Sequence, residues 1–182
     1  MTANIHNVNS YSFVQTDELL IDANIWLYIH GPQVPKDQRS RNYSNALTNI
    51  FNVKCSIFID VLILSEFINR YSRLKCFQEK GTADSNTFKV YRQSSDYKLV
   101  AKDFTDAARR IFKHSKCVES EFTSIDIDDL LKDYESNCPD FNDQILVKLC
   151  KSRSLKLVTH DSDFRNYDIT ILTANRNMLN VP

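Results

Sequence analysis

DFNDQILVKLCKSRSLKLVTHDSDF, residues 140–164, is the stretch that decides the fold class. Ile145, Leu146, Leu149 and Cys150 recur at helical spacing, which predicts a helix over Phe141 to Ser152. Leu155 to Thr159 then reads as a short apolar strand that stops at His160 and Asp161. The same grammar stands upstream. Leu19-Leu20-Ile21 is an apolar run that stops at Asp22. Ala23 to Ile29 follows as a short helix, ended by Gly31-Pro32. Ser40 to Val53 carries Tyr43, Leu47, Ile50 and Phe51 near helical spacing, and Ser56 to Ile59 is another strand. Asp60 caps a long helix with Val61, Leu64, Phe67, Ile68 and Tyr71 on its apolar side. Strands alternating with helices predict an α/β domain with a mainly parallel central sheet flanked by helices. In such sheets the chemistry gathers beyond the carboxyl ends of the strands.

The rest of the chain is weaker in signal. Tyr97 to Lys116 is a helix through Leu99, Phe104, Ala107, Ala108, Ile111 and Phe112. Val118 to Ile125 is weakly patterned and is the place for a third strand; Asp126 to Tyr134 is a short acidic helix. Asn137-Cys138-Pro139 breaks the chain, and Ile169 to Leu172 is a last strand before a polar tail. Residues 1–18 read as a loose N-terminal segment and residues 78–96 as a polar loop insertion. At ~150 residues per domain, the whole of 1–182 is expected to form one domain.

Composition excludes several classes. Two glycines, Gly31 and Gly81, cannot build a P-loop or a dinucleotide-binding turn. No run approaches the ~18 apolar residues of a membrane span, and MTANIHNVNSYSF carries no secretory pattern. Cys55, Cys76, Cys117, Cys138 and Cys150 are odd in number and include no CxxC, which fits reduced, mostly core thiols in a cytoplasmic protein. The 23 basic and 23 acidic residues cancel, so a strongly basic balance is absent, although a local basic patch is not excluded.

Four acids fall where strand and helix ends meet. Asp22 and Asp161 follow strands; Asp143 opens the helix leading into the second of these; Glu66 lies within the helix capped by Asp60. Each alone has an ordinary explanation. An Asp after a strand is most often a cap, and Glu66 could pair with Arg70 at i+4. Together they pose an electrostatic problem, because like charges ~4 Å apart repel by roughly 4 kcal/mol at an effective dielectric near 20. A divalent cation would remove it, and an all-oxygen set selects hard ions such as Mg²⁺ or Mn²⁺ over zinc.

The set LLIDANIWLYI (19–29), FIDVLILSEFINRY (58–71), DFNDQILVKLCKSRSLKLVTHDSDF (140–164) and DITIL (168–172) resembles the PIN-domain ribonucleases. The resemblance implies a PIN-like three-layer domain with a four-acid metal site of Asp22, Glu66, Asp143 and Asp161. It implies one or two Mg²⁺ or Mn²⁺ ions and endonucleolytic cleavage of RNA. Asn24 and Thr159 would orient ligands, and Asp163 and Asp140 would be auxiliary acids. Many small bacterial members resemble VapC-type toxins held inactive by an antitoxin, so the resemblance implies an antitoxin-like protein, or a second copy of the chain, as a partner. Asp60 stands where the family often has Ser or Thr, and His160 where it commonly has Asn. His160 is expected to be an exposed loop residue.

RNA contact needs local positive charge. Lys98, Lys102, Arg109, Lys113 and Lys116 fall on one side of the Tyr97 to Lys116 helix and are the expected RNA-binding face. Arg70, Arg73 and Lys75 form a second cluster; Lys36, Arg39 and Arg41 form a third. Trp26, Phe51, Phe58, Phe67 and Phe141 are expected in the core. The competing functional reading is a PIN-like module that binds RNA or protein without cutting. A weaker third is an acidic-cluster phosphatase or receiver domain. The first would want DxD after strand one, where the third residue is Asn24; the second, paired acids there and a late Lys, neither evident.

Overall fold

The computed structural model describes residues 3–32, 37–120, 122–137 and 140–179. Lys36, Cys138 and Pro139 lie outside the described residues, and with them the expected break at 137–139. Six strands form one sheet: β1 (Asn4–Asn7), β2 (Glu18–Ile21), β3 (Ser56–Ile59), β4 (Lys116–Cys117), β5 (Lys156–Val158) and β6 (Thr170–Thr173). Their order is β1-β6-β5-β2-β3-β4, and every pairing is parallel. The α/β expectation with a mainly parallel sheet is met.

The central strands form because they are apolar on both faces. Leu19, Leu20 and Ile21 of β2 are almost fully buried, as a strand covered by helices on both sides requires. Leu20 pairs with Phe58 of β3 on one side and Leu157 of β5 on the other. The helices are α1 (Ala23–His30), α2 (Gln38–Val53), α3 (Val61–Lys80), α4 (Ser85–Arg92), α5 (Ser95–Lys113), α6 (Ile127–Asn137), α7 (Phe141–Arg153) and α8 (Arg176–Leu179). Asp60 caps α3 as expected, accepting from the Leu62 N–H. With so few glycines, α2 and α7 end on left-handed Lys54 and Ser154, at φ 63° and 55°. Both residues lie just before a strand, at the amino edge of the sheet.

Three expectations need correction. Residues 4–7 are not loose. They form β1, which extends the sheet by pairing with β6 from Asn4↔Thr170 to Asn7↔Thr173. Residues 78–96 are not a polar loop. Gly81 ends α3 at φ 74°, Asp84 caps α4, and Phe88 and Tyr91 turn the buried side of that helix inward. The third strand is Lys116–Cys117, just before the expected 118–125, where a 3-10 turn at Phe122–Ser124 stands instead. The expected core aromatics also divide. Trp26 and Phe67 are buried, Phe58 and Phe141 are half-buried, and Phe51 is 38% exposed, with its ring against His114. Of the described cysteines, Cys76 and Cys150 are buried, Cys55 is half-buried and Cys117 exposed; all four are free thiols.

Topology fixes where the acids stand. β2 and β5 are adjacent and parallel, so Asp22 and Asp161 leave the same edge of the sheet. Helix α7 runs into β5 and therefore starts at that edge, as does α3, which leaves β3. Helix α5 packs antiparallel to the second half of α3, with Lys75 facing Asp103 and Lys80 facing Asp96. No helix among the described residues is long and apolar enough to cross a membrane.

Candidate active site

Asp22 occupies the residue before α1 but does not cap it with a side-chain hydrogen bond. Its carboxylate turns instead to β5, where the Thr159 hydroxyl donates to it at 2.6 Å; the Asn24 amide donates at 2.6 Å. Asp22 is only 5% exposed. Burial pushes its carboxyl up to about 6, against the Thr159 hydrogen bond and with the Glu66 charge adding to the rise. Asp143 sits in the first turn of α7 and is half-buried. Burial, then the charges of Asp140, Asp22, Asp161 and Glu66, push it up to about 7. Every expected acid except Asp163 thus bears on this one carboxyl.

The other acids are held differently. Asp140 caps α7, accepting from the Asn142 and Asp143 N–H groups at 2.8 and 3.3 Å. Asp161 is exposed; its N–H donates to the Thr159 hydroxyl and its carboxylate accepts from the Asp163 N–H, each at 3.0 Å. Asp163 is exposed in the 3-10 turn that follows. Glu66 is bonded by Arg70 at 2.8 Å, the i,i+4 pair weighed against a functional role. Asp60 is fully buried beside Val61 and Val118, and burial raises its carboxyl. Thr159 and Asn24 tie these positions together: Asn24 also touches the Thr159 hydroxyl at 3.3 Å and accepts from the His160 N–H at 3.4 Å.

Among the described residues, no three His, Cys, Asp or Glu side chains stand close enough together to hold a metal ion. The donor set nevertheless suits a hard cation. It is all oxygen, and two of its carboxyls are held above their ordinary range by lost solvation and mutual repulsion, which a divalent charge would relieve.

His160 is not the exposed loop residue expected. Its Nδ1 lies 2.8 Å from the Tyr43 hydroxyl, and its ring meets Tyr28 and Tyr43 edge-on, both at 5.7 Å. Burial lowers its pKa, with Arg39 adding to the shift. Tyr43 is the residue that sequence reasoning missed. It is 1% exposed, and besides His160 its hydroxyl receives the Ala174 N–H at 3.0 Å, linking α2 to the ends of β5 and β6. Its contact with His160 spans 117 residues, so no local pattern could signal it.

The expected RNA-binding face is exposed: Lys98, Lys102, Arg109 and Lys113 lie on α5, which packs against α3, and Arg109 is paired with Asp106 at 2.6 Å. Lys116 reaches Ser56 at the amino end of β3, the opposite edge of the sheet. Arg39 is paired with Asp37 at 2.7 Å and lies over the Tyr28 ring.

With this geometry in place, comparison with known families is decisive: a model of the PIN domain matches residues 19–170. The chain belongs to the PIN domain family. Its fold is therefore of the nuclease type, in a family that generally uses divalent metal ions. A comparison with curated proteins finds no match to this PIN domain.

Proposed function

We propose that this PIN domain is a divalent-metal-dependent endoribonuclease whose centre is built on Asp22, Glu66, Asp143 and Asp161. The reading is supported by the buried Asp22 carboxylate, held by Thr159 and Asn24 at the carboxyl end of β2, and by Asp143, whose half-buried carboxyl is pushed up to about 7 by burial and then by the charges of Asp140, Asp22, Asp161 and Glu66. Such an arrangement is costly without a cation and useful with one. Asp22 and Asp143 would be the principal ligands of Mg²⁺ or Mn²⁺, with Glu66, Asp161, Asp140 and Asp163 completing the oxygen set, directly or through water. When bound, one or two such ions supply the charge that activates water and stabilises a leaving phosphodiester oxygen. Thr159 and Asn24 fix the carboxylate of Asp22 and keep it aimed. Glu66 would exchange its bond to Arg70 for a place in the centre, freeing the guanidinium for phosphate. A cytoplasmic toxin paired with an antitoxin-like protein, or acting as a homodimer, is the cellular setting we favour.

A non-catalytic RNA- or protein-binding module is the second reading. It is favoured by the Glu66–Arg70 pair and by the spacing of the acids among the described residues. Cleavage of single-stranded RNA with Mn²⁺ or Mg²⁺, lost in Asp22→Asn and Asp143→Asn while the fold survives by circular dichroism, is the expected result. Full activity in either variant would end the nuclease assignment. No cleavage by wild type, with no divalent ion bound in calorimetry, would favour the binding module.

A further inference from the structure

Helix α3 carries more than Glu66. Farther along it, α3 and α4 enclose an open cleft of about 490 Å³ whose lining includes Asn69, Arg73, Phe88, Lys89, Arg92 and Gln93. None of the residues lining the cleft is acidic. Arg73, Lys89 and Arg92 are exposed, and no carboxylate among the described residues pairs with them. That sets them apart from Arg39, Arg70, Lys75, Lys80 and Arg109, each of which faces an acid. Arg73 is held in place by the Phe88 ring, 4.5 Å beneath its guanidinium, and by the Ala83 carbonyl, to which it donates at 3.2 Å. Lys89 and Arg92 are three residues apart on α4 and so share a face. Three cations gathered without a counter-charge repel one another, and a polyanion relieves that repulsion.

The cleft is placed in line with the acids. Glu66, Arg70 and Arg73 recur at i, i+4 and i+7 on one face of α3, spanning about 10 Å of helix. A strand that crosses the centre at Glu66 and continues down α3 meets Arg70 and then the cleft. On α5 the cations are spread from Lys98 to Lys113 along the helix, and Arg109 is already paired with Asp106. We infer that the α3–α4 cleft is a phosphate-binding subsite for the single-stranded polynucleotide whose scissile bond lies at the acidic centre, gripped by Arg73, Lys89 and Arg92. This rests on the ribonuclease reading for the position of the cut, but not for the binding. Asn69 and Gln93 add amide donors and acceptors for sugar and base edges.

The test is fluorescence anisotropy with a labelled single-stranded RNA of about a dozen nucleotides, in EDTA and over a range of NaCl. The triple variant Arg73→Ala/Lys89→Ala/Arg92→Ala should bind at least roughly tenfold more weakly, and its log affinity should fall less steeply with log salt by about 2. The double variant Lys89→Ala/Arg92→Ala, which leaves the Arg73–Phe88 contact intact, should reduce that slope by about 1.4. A matched set on α5, Lys98→Ala/Lys102→Ala/Lys113→Ala, should change both quantities less. Unchanged affinity and slope in the cleft variants would overturn the proposal, as would an equal loss in the α5 set. So would retained RNA binding together with lost binding of poly-glutamate, which would mark an acidic protein as the occupant. Cleavage by wild type, with cleft variants that bind RNA normally, removes the cleft and leaves the nuclease. Loss of RNA binding in the cleft variants of a protein that never cleaves removes the nuclease and leaves the cleft.

Discussion

Asp22, Asp37, Asp60, Asp84, Asp140 and Asp161 all stand just before a helix or 3-10 turn, yet of these only Asp22 makes no side-chain capping bond there. An Asp that forgoes its cap for Thr159 and Asn24 is the residue-level mark of the site, and sequence could not separate it from its five capping counterparts. Its neighbour Asp143 gives the measurable consequence. In the fold, Asp143 and Asp22 keep protons up to about pH 7 and 6, whereas the unfolded chain releases them near the ordinary carboxylate value of 3.8. Between those limits the folded state binds more protons, so without a cation their contribution to stability falls as pH rises from about 4 to about 7. Asp143→Asn removes one share of that loss. In EDTA it should exceed wild type by on the order of 1–3 kcal/mol near pH 7.5, after allowance for partial exposure, and match it near pH 4. Urea titrations at the two pH values measure this; a difference that does not vary with pH would show that Asp143 is not desolvated.

The elements that sequence revealed are those with an internal pattern. β2 and β5 carry the apolar runs Leu19–Ile21 and Leu157–Val158, and α3 and α7 have apolar faces behind capping acids. β1 has the sequence NIHN and is partly exposed at the sheet edge, so it has no alternation to find; its partner β6 alone makes it a strand. α4 hides in polar sequence because its helical period rests on only Phe88 and Tyr91. The joints between elements are equally invisible beforehand. Asp17, 2% exposed, is bonded by the Lys156 ammonium at the start of β5 and by the Val14 N–H at 2.9 Å, while its carbonyl receives the Ser56 N–H of β3 at 3.1 Å. It clasps β2, β3 and β5 at the edge opposite the acids. Asp17→Ala would leave the part-exposed Lys156 ammonium only the Tyr11 hydroxyl, at 2.8 Å, and should cost about 1–3 kcal/mol of unfolding free energy. A loss within measurement error in chemical denaturation would show the clasp to be idle.

At the scale of the molecule, the sheet ends on β1 at one side and on the two-residue β4 at the other. Removing residues 1–8 would delete β1 and the fully buried Val8, baring the edge of β6. The truncated protein should melt at lower temperature and scatter light at concentrations where the full chain stays clear; an unchanged melting point would make β1 dispensable. The two edges of the sheet also carry different kinds of tension. Desolvated carboxyls load the carboxyl edge, while left-handed Lys54 and Ser154 load the amino edge with backbone strain of roughly 1 kcal/mol each. Only the second kind can be relaxed without touching the chemistry. The scarcity of glycine has therefore left a reserve of thermal robustness on the blind side of the protein, open to an engineer or to selection at no expense to the acids.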